Sequence, residues 1–136
     1  MAGARLPKSV KAAAAWADGV FGMDLGPDVD AIVRYFTTVR EAWSDANKPT
    51  PRLCVSFWYA LGPGADRQME THLRRYFSFY ARAQVDALAP KVGFRGSPGQ
   101  LRDLLKRVED AGADEVLLVP TCIDRGEPAR VAEVFQ

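Results

Sequence analysis

The chain predicts an α/β fold built on a parallel sheet, and three observations predict it. Helix and strand signals alternate along the 136 residues, the pattern that long right-handed crossovers turn into parallel strands. Residues 97–121, SPGQLRDLLKRVEDAGADEVLLVPT, form a complete helix-to-strand step with its own start and stop signals. The run from Glu115 to Pro120 in that step is apolar with no polar alternation, the signature of a strand buried on both faces under helices.

The elements follow in order. Pro7 fits the first helical position and opens a helix with Val10, Ala13, Ala14 and Ala17 on its apolar side, ended by Asp18-Gly19. A short buried strand is predicted at 20–22. Gly26-Pro27-Asp28 starts a second helix, with Val29, Ile32, Val33, Phe36 and Val39 on one face, which runs to about Asn47 before Pro49 and Pro51 forbid continuation. Residues 53–61, LCVSFWYAL, are rich in β-branched and aromatic side chains and predict the second strand. After the Gly62-Pro63-Gly64 turn, one long helix is expected over 65–89, presenting Met69, Leu73, Tyr76, Phe77 and Tyr80. Ser97 then caps the next helix, with Pro98 at its first position and Gln100 placed to close a capping box. Leu101, Leu104, Leu105 and Val108 make its buried stripe, and Gly112 stops it by taking a left-handed conformation. Residues 115–120 are the third strand. A last helix over 128–135 is expected to bury Val131, Val134 and Phe135.

Composition narrows the function. The length predicts a single α/β domain spanning 1–136. A formal net charge of +1, with Arg and Lys interleaved among Asp and Glu, gives no broad electrostatic footprint for nucleic acid. No apolar run approaches the roughly 18 residues needed to cross a bilayer, and no membrane partner is expected. Cys54 and Cys122 lie far apart without a CxxC or a secretory leader, which predicts reduced thiols, a cytoplasmic location and no metal site.

Three strands are too few for a closed (β/α)8 barrel, which takes eight and typically about 250 residues. Met1-Ala-Gly-Ala reads as the tail of a strand whose body is absent. The opening GARLPKSVKAAAAWADGVFG, the step GSPGQLRDLLKRVEDAGADEVLLVPT and the closing EPARVAEVF together resemble the C-terminal part of the luciferase-like flavin-dependent oxidoreductases. Each motif alone is common in α/β proteins, and it is their order and spacing over nearly the whole chain that carries the resemblance. The first half or more of that family's barrel has no counterpart here. The resemblance implies a partial (β/α)8 TIM barrel of about three parallel strands with flanking helices. It also implies a flavin-type cofactor, FMN or the deazaflavin F420, and a small organic substrate for a monooxygenase or other oxidoreductase.

The resemblance also implies site residues. Gly3, Ala4 and Arg5 match a loop that touches the flavin phosphate or its phosphoribityl chain, and Gly22 and Met23 match residues lining the same end from the next strand. The residues themselves admit that role, because backbone N–H groups and the positive end of the first helix favour an anion, with Arg5 and Lys8 adding charge. They equally admit a plain turn with two solvated cations. Asp24 would repel a phosphate unless it points away or caps the second helix. No catalytic residue is predicted. His72, the single histidine, stands mid-helix with no partner nucleophile and reads as a surface or half-buried residue. Phe57, Trp58, Tyr59, Tyr76, Phe77, Phe79 and Tyr80 read as core before they read as a flavin wall. Both cysteines read as small hydrophobes. Thr121 and Asp124 stand just past the last strand, on the rim where barrel enzymes place functional groups, and a capping role explains Asp124 equally well.

Two further readings stand beside the flavin-dependent one. A non-catalytic remnant or partner-binding α/β module would cover its open edges by dimerisation, or with a chain that supplies the missing half-barrel. An unrelated small ligand-binding domain would show a closed, fully covered core.

Overall fold

A computed structural model of the chain describes residues 1–23, 26–122 and 126–136. Its elements are α1 (Pro7–Ala14), β1 (Gly19–Met23), α2 (Val29–Asp45), β2 (Arg52–Leu61), α3 (Ala65–Tyr76), α4 (Arg82–Leu88), β3 (Phe94–Gly96), α5 (Pro98–Asp110), β4 (Glu115–Pro120) and α6 (Glu127–Ala132), with 3-10 turns at Ala89–Lys91 and Glu133–Phe135. The sheet is parallel and β2 is its hub. β1 runs beside the first half of β2, from Gly19 opposite Arg52 to Met23 opposite Ser56. β3 runs beside the second half, from Tyr59 opposite Phe94 to Leu61 opposite Gly96, and β4 also pairs with β2. A single parallel bridge joins Ala2 to Val20. This is the architecture of a partial (β/α)8 barrel.

The chain packs as two compact units. The first is built on residues 1–23, 28–56 and 105–117. In it α1 lies against α2 and buries Val10, Ala13 and Ala14, while α2 buries Ile32, Phe36, Val39 and Trp43. The Asp28 carboxylate caps α2 by accepting the N–H groups of Asp30 at 3.0 Å and Ala31 at 3.2 Å, satisfying two donors that a helix start leaves open. At Gly19 a Cβ would sit 2.2 Å from the Arg52 carbonyl oxygen, so only glycine allows the strands to approach there. Gly112, at φ +96°, ends α5 in the left-handed region as expected. The Ala113 N–H then donates to the Val108 carbonyl at 3.3 Å.

The second unit is built on residues 26–27, 57–104, 118–122 and 126–136. Trp58 packs edge-on against His72, Tyr76 and Phe77, with ring centroids 5.1, 4.8 and 6.0 Å away, and Met69 and Leu73 complete the buried stripe of α3. The capping box of α5 forms: Ser97 Oγ accepts the Gln100 N–H at 3.2 Å, and Gln100 Oε1 accepts the Ser97 N–H at 2.9 Å.

Several expectations need correction. The single helix over 65–89 is two, α3 and α4, because the aromatic run Phe77-Ser78-Phe79-Tyr80 breaks it. The Tyr80 N–H closes a turn onto the Phe77 carbonyl at 2.9 Å, and residues of middling helix propensity yield to that turn. Tyr76 and Tyr80 are consequently exposed. Residues 94–96 are a fourth, three-residue strand, where only a link was expected. The buried stripe of α2 runs through Ile32, Phe36, Val39 and Trp43, leaving Val33 at its edge, 43% exposed. The last helix tightens to a 3-10 turn, which brings Val134 inward and leaves Phe135 72% exposed. Most consequential, β4 has the expected bounds but not the expected burial. Its residues are exposed or half-buried, and Leu117 is 41% exposed.

Candidate functional site

The site grows out of the bridge at Ala2. The Ala2 N–H donates to the Gly19 carbonyl and the Phe21 N–H donates to the Ala2 carbonyl, each at 2.9 Å. Because this pairing is parallel, the chain leaving Ala2 runs in the same direction as the end of β1. Arg5, Gly22 and Met23 consequently line one cavity of about 140 Å³, with Tyr35 of α2 and Val55 of β2. Three of the five residues named from the sequence meet there.

The other two stand nearby in different roles. Ala4 is buried and gives its carbonyl to the Tyr35 hydroxyl, which donates to it. Gly3 is exposed, with open space where a Cβ would be, so no close approach requires glycine there. Lys8 is exposed and does not line the cavity. The start of α1 is occupied locally: Ser9 Oγ accepts the Leu6 N–H at 3.1 Å and donates to the Leu6 carbonyl at 2.8 Å. Asp24 lies outside the described residues.

Tyr35 is the residue that sequence reasoning missed. Burial pushes its phenol up to about 12, against the opposing pull of the Arg5 guanidinium, so the hydroxyl stays protonated and keeps its bond to Ala4. Its ring sets the floor of the cavity: a Cβ at position 22 would lie 3.0 Å from Tyr35 Cε1, so glycine there keeps the space open. The signal available in the sequence was a polar aromatic one residue before Phe36 on the buried stripe of α2. It could not show that its partner lies in the opening segment.

The electrostatics suit one small anionic group. Among the described residues, Arg5 is the charged one lining the cavity. At about 140 Å³ the cavity is below the roughly 300–1,000 Å³ of a site that encloses a whole drug-sized ligand. It has room for a terminal group such as a phosphate, and not for a fused ring system.

The remaining candidates resolve individually. Thr121 is buried and holds β4 in place: its hydroxyl donates to the Tyr59 carbonyl at 2.8 Å and accepts from Gln68 Nε2 at 2.9 Å. Asp124 lies outside the described residues. Cys54 is buried, and burial together with the nearby Glu115 carboxylate pushes its thiol up, which suppresses the thiolate a nucleophile needs. Both cysteines are free. Phe57, Trp58, Tyr59 and Phe77 are core, whereas Tyr76, Phe79 and Tyr80 are exposed. His72 is half-buried, as expected, with its imidazole stacked on Tyr76 at 5.9 Å.

Comparison with known proteins agrees with this architecture. No family model matches the chain, and no curated protein matches it by sequence. Among solved structures it resembles an F420-dependent secondary alcohol dehydrogenase in complex with an F420-acetone adduct, at 14% identity and a TM-score of 0.69, over 93% of this chain and 44% of that one. It also resembles the coenzyme F420-dependent tetrahydromethanopterin reductase of Methanopyrus kandleri, at 14% identity and a TM-score of 0.61, over 98% and 48%. A third is the monooxygenase RslO1 of Streptomyces bottropensis, at 17% identity and a TM-score of 0.57, over 98% and 44%. The chain spans less than half the length of each of these proteins. Its fold is the one found in luciferase-like F420- and flavin-dependent TIM-barrel enzymes, over part of their barrel. No helix among the described residues is long and apolar enough to cross a membrane.

Proposed function

We propose that the chain is the portion of a luciferase-like oxidoreductase or monooxygenase that holds the phosphate end of FMN or F420. The observation that carries the proposal is the convergence of Arg5, Gly22 and Met23 on one cavity at the ends of two adjacent parallel segments. Arg5 supplies charge and two-pronged hydrogen bonding to a phosphate. Gly22 keeps the space clear, and Tyr35, tied to Ala4, fixes the loop that carries Arg5. When bound, a reduced cofactor of this class supplies a hydride or activates oxygen, and the protein's part is to bind and orient it. The rest of the cofactor, and the small organic substrate, would be enclosed by barrel elements beyond this chain. Those elements would come from a second copy, a complementing chain or further sequence, docked on the uncovered face of β4. The free thiols fit a reducing, cytosolic setting.

The test is titration of FMN, F420 and the phosphate-free riboflavin into wild type and Arg5→Ala, read by quenching of cofactor fluorescence. Binding of both phosphorylated cofactors should be weak, riboflavin weaker still, and Arg5→Ala should lower phosphate-dependent affinity about tenfold, as expected for loss of a charge-assisted hydrogen bond. Equal binding by the two proteins would remove Arg5 from the site. Equal binding of riboflavin and FMN would remove the phosphate from the proposal.

A further inference from the structure

The second unit carries a larger cavity, of about 710 Å³, that the cofactor proposal leaves unused. Two neighbouring rows of α3 face it: Arg67, Thr71 and Arg75 at i, i+4 and i+8, and Gln68, His72 and Tyr76 at the same spacing one residue on. Residues four apart share a helix face, and adjacent rows together make one wide stripe. The stripe is cationic and aromatic, and no Asp or Glu among the described residues lines the cavity.

The acidic residues of α3 are engaged elsewhere. Glu70 pairs with Arg74 at 2.6 Å and Asp66 with Arg95 at 3.7 Å. Arg74 is further paired with Asp86 at 3.3 Å. Arg67 and Arg75, by contrast, make no ion pair among the described residues. Nε2 of His72 is buried without a hydrogen-bond partner among the described residues. Among the described residues, the titratable groups lining the cavity with His72 are Arg67, Arg75 and Tyr76 on its own helix and Cys122 past β4. The far wall is fixed, because Gln68 is tied to Thr121 and Thr121 to the Tyr59 carbonyl. The cavity falls within the range of sites for drug-sized ligands. It combines unpaired guanidinium groups with an aromatic pair, His72 stacked on Tyr76 at an interplanar angle of 23°.

We propose that this cavity binds a small aromatic carboxylate, with the carboxylate held by Arg67 and Arg75 and the ring laid against His72 and Tyr76. Guanidinium groups match a carboxylate in geometry as well as charge, and the aromatic pair supplies apolar area and a stacking face. The site stands apart from the cofactor proposal, and either can fail without the other.

His72 is the chain's single histidine, so its imidazole proton resonance reports on this cavity without ambiguity. The experiment follows that resonance across pH in wild type, with benzoate, benzyl alcohol or inorganic phosphate added. Benzoate should raise the His72 pKa by placing a negative charge beside it, and benzyl alcohol should not. Arg67→Gln and Arg75→Gln should each weaken benzoate binding about tenfold. Arg74→Gln, on the paired face, should leave it unchanged. Circular dichroism of each variant separates a lost site from a lost fold. Absence of a benzoate-dependent shift, or an undiminished shift in the Arg67→Gln/Arg75→Gln double variant, would overturn the site. An equal shift with phosphate would overturn the aromatic carboxylate as its ligand.

Discussion

β2 and β4 have the same kind of sequence and opposite surroundings. Both are predominantly apolar strands in one parallel sheet, each followed by a helix. β2 pairs with β1, β3 and β4, and every residue after Arg52 is buried. β4 pairs with β2, and its residues are exposed or half-buried. The difference shows what an apolar-rich strand encodes: the surroundings it is suited to. Whether that cover is present depends on neighbours that local sequence does not specify.

The sharpest test of the contrast is truncation at matched positions. Phe57 in β2 is fully buried, and Phe57→Ala should cost about 3–5 kcal/mol, the range for deleting a large core side chain with its cavity. Leu117→Ala in β4 should cost far less, under about 1 kcal/mol, since much of its side chain already meets water. Denaturant midpoints of the two variants read the difference. Comparable losses would mean that β4 is covered in solution, which would break the comparison.

A smaller effect concerns the helix that delivers β4. Ser97→Ala removes the hydroxyl that accepts the Gln100 N–H and should cost about 1 kcal/mol, as N-cap losses do. Ser97→Asp, which can still cap, should recover most of it. A loss of several kcal/mol would show that Ser97 acts beyond the helix end.

These elements also mark where the sequence was legible. The α5–β4 step is specified locally: cap, stripe and stop lie within one stretch of chain, and the structure reproduces its bounds. The break after α3 was not legible, because Phe77, Phe79 and Tyr80 continue a helical apolar spacing while their backbone turns. The stripe of α2 was misjudged by about one residue's rotation, since Val33 and Trp43 are equally apolar and only packing chooses between them. In the candidate site, Arg5, Gly22 and Met23 were named only through the resemblance to the luciferase-like family, which matches them to the phosphate end of a flavin site. Tyr35 was not, because its bond to Ala4 joins segments far apart in sequence. The cationic rows of α3 stand at four-residue spacing in the sequence, but spacing alone does not show that they line a cavity.

The helix covering β2 through Trp58 should add a pH dependence. Burial first, and then the Arg75 charge, hold the His72 pKa below its ordinary 6.5. The folded state favours the neutral imidazole, so between the ordinary pKa and the lowered one the unfolded chain binds more protons. Stability is then full above about pH 6.5 and falls as pH drops below it. His72→Phe should flatten this component, read as the difference in denaturant midpoint between about pH 7.5 and about pH 5.5. A wild-type midpoint that rises on acidification would contradict the sign.

The smallest expected change in stability carries the most information about what completes β4. Leu117→Lys places a charge on a half-open strand and should move the unfolding midpoint by no more than about 0.5 kcal/mol, the usual range for exposed positions. Its effect should fall on association. A sheet strand with apolar side chains and few partners recruits a neighbour, and a lysine there blocks edge pairing at little cost to the fold. If wild type associates through β4, Leu117→Lys should shift sedimentation toward the monomer, while Val33→Lys, an equally exposed apolar residue on α2, should leave association unchanged. Dissociation by both variants would point to nonspecific apolar contact. Dissociation by neither would show that the wild type does not complete its sheet through β4, and would remove the second copy from the ways proposed here for completing the barrel.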